Sequence, residues 1–186
     1  MQDTVLPDVR LRIMKTLHHE RPGMAEKALE ETELKKACQV RAHLESLAAR
    51  YAALNAAQSM DDRRALRAVD KELEAAIRDG DYPAFRDADT QLHATIIRIA
   101  RVPFLYESWL PVWEGLRELH QVSFRDWWPD LRVLTQEHAH LVDDICRGDA
   151  EAAENTAREH VSAVLYRREQ LEGLPEDADP LQRATA

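Results

Sequence analysis

The sequence predicts an all-α protein, an antiparallel bundle of six to seven helices. Three observations predict it. Apolar residues recur at three- and four-residue steps along nearly the whole chain, β-branched runs are missing, and glycine is scarce, with four of the five (all but Gly115) at points of punctuation. A short helix is expected over 6–19, broken from the rest by Pro22-Gly23. Helices then follow over 24–57, 60–79, 81–101, 103–125, 129–147 and 149–171. Ser59 ahead of Met60-Asp61-Asp62 is an N-cap followed by acids that suit the positive end of a helix. Gly80-Asp81 closes one helix with a residue tolerant of positive φ and opens the next with a capping carboxylate; Gly148-Asp149 repeats the device. Pro103 and Pro129 stand where a first helical turn tolerates a missing N–H, and Pro111 predicts a kink inside 103–125. The interspersed charges of 60–79 read as a solvated outer helix. Links of one to four residues fold successive helices back on one another. The expected organisation is a helical arm over 1–34, the bundle over 35–171 and a flexible acidic tail over 172–186.

Composition narrows the function. At 186 residues with 45% hydrophobic side chains the chain is long enough for one well-formed core. No apolar run approaches the ~20 residues that span a bilayer, and no charged-then-apolar leader is expected, so a membrane partner is not. Cys38 and Cys146 stand far apart without metal-type spacing, which suits a reducing cytoplasm. The net charge of −9 argues against clamping a polyanion.

Helical wheels place ionisable groups where a core should be apolar. In 81–101 the apolar stripe is Phe85, Ala88, Leu92, Ile96, Ile99 and Ala100; Asp89 falls inside it and His93, one turn later, at its edge. In 129–147 His138 lies at the centre of Leu131, Leu134, Leu141, Val142 and Ile145, whereas His140 points about 200° away. In 149–171 His160 sits among Ala153, Ala157, Val164 and Leu171. A single inward histidine is ordinarily a hydrogen-bonded core residue. Four inward polar groups from three helices instead form a ligand set: three imidazoles and a carboxylate, suited to one divalent transition metal, Zn²⁺, Ni²⁺, Mn²⁺ or Fe²⁺. Glu137 and His140 make a single Glu-x-x-His, too little for a di-iron bundle.

In 24–57 the stripe Ala37, Val40, Leu44, Leu47, Tyr51 and Leu54 keeps a 3-4-3-4-3 spacing and reads as the core face. Arg41 lies about 40° beyond its edge, within reach of the interior. A guanidinium beside a metal with open positions suits a small carboxylate; an Arg41–Glu45 helix pair reads equally well. His120, inward with Trp109, Trp113 and Leu116, is either a pocket-lining or a packed core histidine. Trp127-Trp128 read as a cap on the core.

Asp89-x-x-x-His93, then His138 and His160, resembles the metal-binding FCD domain, the C-terminal effector-binding domain of FadR-type regulators of the GntR family. Gln39-Val40-Arg41-Ala42-His43-Leu44-Glu45, Gln136-Glu137-His138 and Arg147-Gly148-Asp149-Ala150-Glu151-Ala152-Ala153 carry the likeness further. The resemblance implies a homodimeric bundle with a divalent metal on Asp89, His93, His138 and His160. A small carboxylate or related metabolite would be met by the metal and Arg41. Such regulators carry a winged helix-turn-helix ahead of this domain; residues 1–34 show neither a wing nor a basic recognition helix, so direct nucleic-acid binding is not expected of this chain. The expected function is metal-dependent effector binding, with a free-standing metalloenzyme acting on a small acid as the alternative. For an enzyme, His120 and Glu137 are the candidate acid–base groups. A metal-free helical interaction protein is a third reading.

Overall fold

The computed structural model describes the backbone of residues 24–127 and 130–172, with side chains for residues 33–116 and 130–163. Two compact units are distinguished, Met1–Lys36 and Ala37–Ala186. The expected helix over 6–19, Trp128, Pro129 and the acidic tail lie outside the described residues, as do the side chains of His120, Trp127, Val164 and Leu171.

Among the described residues the chain is helical, with α1 (Met24–Ala56), α2 (Met60–Asp79), α3 (Tyr82–Ala100), α4 (Leu105–Trp127), a 3₁₀ turn (Leu131–Leu134), α5 (Thr135–Arg147) and α6 (Ala150–Glu172). This is the expected all-α antiparallel bundle. The caps are those the sequence signals. Ser59 Oγ accepts from Asp62 N at 3.1 Å, Asp81 Oδ1 from Ala84 N at 3.0 Å, and Asp149 Oδ1 from Ala152 N at 3.1 Å. Gly80 and Gly148 close α2 and α5 at φ 65° and 76°.

Two boundaries differ from expectation. Pro103 lies in a turn, not in a first helical turn. Arg101 ends α3 at φ 52° and Phe104 takes φ 62°, two left-handed residues that rotate the chain before α4 starts at Leu105. The helix expected over 129–147 is split. Asp130 caps a 3₁₀ turn by accepting from Arg132 N at 3.0 Å, and regular α-helix begins only at Thr135. Pro111 lies inside α4 as expected. In α2, one face is buried through Leu66, Asp70, Leu73, Ala76 and Ile77, so it is a core helix with a solvated outer side.

The larger correction concerns α1. The stripe expected to be its core face is turned outward, with Val40, Leu47, Tyr51 and Leu54 exposed. The face packed against the bundle is instead Cys38, Arg41, Ala42, Glu45, Ser46, Ala48, Ala49, Ala52, Ala53 and Ala56. Alanine lets α1 lie close to its neighbours, so that backbone atoms share in the packing. Gly148 records how close: a Cβ built there would fall 2.8 Å from Ala57 Cβ. Asn55 Nδ2 fastens the end of α1 to the terminal carbonyls of α3, Ile99 O at 2.8 Å and Ala100 O at 3.0 Å. Thr156 Oγ1 donates to Asp144 Oδ2 at 2.6 Å and ties α6 to α5. The core that results (Leu66, Leu73, Phe85, Leu92, Ile96, Trp109, Leu141, Val142, Ile145) surrounds one polar cluster.

Candidate metal centre

α3 supplies Asp89 and His93 from successive turns of one face, α5 supplies His138 and α6 supplies His160. One ligand atom from each of the four lies within 4.8 Å of every other. An ion about 2.1 Å from each donor needs donors some 3–4 Å apart, so a small contraction completes the shell. His93, His138 and His160 are buried, and the Asp89 side chain is 21% exposed, at the edge of the cluster.

The rings are held by partners outside the cluster. His138 Nδ1 donates to Leu134 O at 2.9 Å, which leaves Nε2 facing Asp89 Oδ1 at 3.0 Å. The carbonyl belongs to the 3₁₀ turn, so the irregular entry into α5 orients a ligand. His93 Nδ1 meets Glu45 Oε2 at 2.8 Å, and its Nε2 lies 3.5 Å from Asp89 Oδ1. A neutral imidazole carries one N–H, yet both nitrogens of each ring face oxygen. Extra positive charge satisfies that arrangement, either a proton or a cation between the Nε2 atoms and Asp89. Anchoring the far nitrogen on a carbonyl or carboxylate is also how metal-binding histidines are oriented. His160 differs: its buried Nδ1 has no hydrogen-bond partner, and Glu137 Oε2 stands 3.6 Å away, beyond hydrogen-bonding range.

Electrostatics follow the geometry. Burial alone would lower the His93 pKa, but the carboxylates of Glu45 and Asp89 outweigh it and raise the ring to about 9. Burial works to raise Asp89, and His93 and His138 overcome it, holding the carboxylate well below its usual range. His160 goes the other way. Burial and the neighbouring His138 push it down to about 4, so it is a neutral donor near pH 7.

Beside the cluster lies a second buried layer that sequence reasoning saw only in part. Arg41 Nε is 2.7 Å from Glu45 Oε1, so the helix pair is present, and Arg41 Nη2 also lies 3.5 Å from His93 Nε2. The guanidinium stacks on Trp113 at 4.4 Å, and Trp109 Nε1 donates to Glu45 Oε1 at 2.8 Å. Glu45 therefore joins α1, α3 and α4; burial would raise its pKa, but Arg41 and His93 hold it far below the ordinary value. Its role was missed because it lies off the large-residue stripe of α1. The signal available was an Arg–Glu pair on an alanine face. Trp113 Nε1 is a buried donor without a partner, within the same layer.

Of the residues expected at the site, Asp89, His93, His138 and His160 come together and Arg41 borders them. His140 and His43 are exposed. The four donors fit a divalent transition ion and leave positions vacant at coordination number five or six.

Residues 36–163 match the FCD domain. Over 143 residues, 77% of this chain, the sequence is 28% identical to a probable D-xylose utilization operon transcriptional repressor of Paenarthrobacter nicotinovorans. The match covers 61% of that relative's length.

Proposed function

The chain belongs to the FCD-domain family, and on that footing we propose that it is the metal-dependent, effector-binding part of a transcriptional regulator. The observation that carries the reading is the convergence of Asp89, His93, His138 and His160 within 4.8 Å. These residues would hold one divalent transition ion, which supplies a Lewis-acidic site with positions left for a ligand oxygen. Arg41, buried against His93, would draw a small carboxylate toward that site, and its pairing with Glu45 would loosen as the effector arrives. His120 on α4 is proposed as a further pocket residue. Effector binding that favours one packing of α1 against α3 would shift the equilibrium between regulatory states. The protein acts as a homodimer in this reading.

The test is a panel of small carboxylic acids, with D-xylose as a neutral comparison, added to metal-loaded protein. A rise in melting temperature with the compound recovered unchanged supports sensing. Metal-dependent conversion of the acid to product would replace sensing with catalysis. Arg41→Lys, which keeps the charge but loses the fork, is expected to weaken the carboxylate about tenfold or more while metal content holds. Undiminished carboxylate affinity in that variant removes Arg41 from the site.

A further inference from the structure

Two of the three cluster imidazoles are braced from behind, and the third is not. His138 is held through Nδ1 by Leu134 O at 2.9 Å, and His93 through Nδ1 by Glu45 Oε2 at 2.8 Å. His160 Nδ1 is buried without a hydrogen-bond partner, and the nearest carboxylate oxygen, Glu137 Oε2, stands 3.6 Å from it. A buried ring nitrogen left unpaired is costly, and folded chains rarely keep one without a use. Glu137 is equally unaccounted for. Its side chain is 44% exposed, and among the described residues no lysine or arginine pairs with it. It lies in the first turn of α5, where any carboxylate suits the positive end of the helix, but that alone would not place it beside His160.

We propose that Glu137 is the positioning residue of His160. On the proposed reading that Asp89, His93, His138 and His160 hold one divalent ion, the His160 ring binds through Nε2 and its Nδ1–H donates to Glu137. Three features argue for this role. The first is the pattern of the other two rings. Each has an oxygen behind Nδ1, from the 3₁₀ turn for His138 and from α1 for His93, and a partner on the far nitrogen is how ligating histidines are fixed in tautomer and direction. The second is distance. The cluster donors lie within 4.8 Å of one another and draw closer around an ion, so the rings shift when it binds. Glu137, half in solvent and tied to no cation, closes the gap from 3.6 Å to hydrogen-bonding range by rotating its own side chain. The third is the place of the pair in the fold. Thr156 Oγ1 already ties α6 to α5 through Asp144 Oδ2 at 2.6 Å. Glu137 and His160 lie farther from Gly148 on both helices, so a bond between them fastens the same helix pair at a second level. Loading the ion thereby clamps α5 to α6, and a carboxylate engaged with a ligand is no longer a free acid–base group.

Zinc titration and histidine side-chain NMR of the full chain test the proposal. In zinc-loaded wild type, His160 is expected to carry its proton on Nδ1 in a slowly exchanging N–H, with Nε2 on the ion. That tautomer is read on wild type and needs no variant to fold. Glu137→Ala is expected to weaken zinc about 10- to 100-fold with unchanged helical circular dichroism, and to lose the slow N–H signal. Glu137→Gln keeps an acceptor oxygen and should retain the signal and most of the affinity. Asp87→Ala removes an exposed acid from α3, two residues from Asp89 and so turned about 200° away, and should bind zinc as wild type does. Wild-type protein that takes up no zinc would overturn the proposed metal centre, and this role with it. With zinc bound by wild type, the role of Glu137 alone would be overturned by wild-type affinity in Glu137→Ala or by a His160 ring that binds through Nδ1. Equal weakening in Asp87→Ala would reduce Glu137 to one surface charge among others and overturn the role as well.

Discussion

Glu45 Oε2 lies 2.8 Å from His93 Nδ1, so a buried carboxylate on α1 fixes the ring that faces Asp89 from α3. The same carboxylate receives Arg41 at 2.7 Å and the Trp109 indole at 2.8 Å. Orientation of the proposed metal ligand His93 and packing of three helices therefore pass through one side chain. Glu45→Gln keeps an acceptor but removes the charge, and it is expected to lower metal affinity about 10- to 100-fold in a folded protein. Glu45→Ala leaves Arg41 buried without a counter-charge and should cost about 3–5 kcal/mol in denaturant unfolding. Metal titrations on the Gln variant that match wild type would separate Glu45 from the centre.

The centre is also expected to set how stability varies with pH in the metal-free protein. His93 is raised from 6.5 to about 9, so the folded state holds its proton more tightly than the unfolded chain. Its stabilisation is complete below pH 6.5 and is lost as pH climbs through 9, on the order of 3 kcal/mol in all. His160 is lowered from 6.5 to about 4, so its contribution is complete above pH 6.5 and fades as pH falls through 4. Melting temperature without metal should peak near neutrality and fall on both sides. A metal held by His93 would have to displace its proton, so affinity is expected to rise about tenfold per pH unit between 7 and 9. Affinity independent of pH over that window would contradict the placement of His93 among the ligands.

Gly148 ends α5 at φ 76° where a Cβ would come 2.8 Å from Ala57 Cβ, whereas Gly80 ends α2 at φ 65° with open space around it. Both changes to alanine meet the left-handed penalty of about 1–2 kcal/mol, and Gly148→Ala adds a collision worth about 1–3 kcal/mol more. Chemical denaturation of the two variants measures the difference. Equal losses would mean that α1 does not approach the α5–α6 turn as closely as described.

The helices, their caps and the four inward polar groups were legible because each rests on local periodicity: Asp89 and His93 one turn apart, His138 and His160 at the centres of apolar stripes. What could not be read was which face of α1 turns inward. Val40, Leu47, Tyr51 and Leu54 are more hydrophobic than Ala48, Ala49, Ala52 and Ala53, yet alanine wins the interior by letting backbones approach. Periodicity marks a face to be covered without saying by what. The Arg41–Glu45 pair was legible, but that misreading hid the contact of Glu45 with His93, since both paired residues share the buried alanine face. The boundaries at Leu105 and Thr135 escaped because they turn on Arg101 and Phe104 adopting positive φ and on Asp130 capping a 3₁₀ turn, choices made by packing.

The most direct measurement is the metal content of protein purified without chelators or affinity metals, by elemental analysis, for wild type, His138→Ala and His160→Ala. About one divalent transition ion per chain in wild type, lost in both variants while their helical circular dichroism persists, is the predicted result. Wild-type protein that carries no metal and takes up none of Zn²⁺, Ni²⁺, Mn²⁺ or Fe²⁺ on incubation would contradict it.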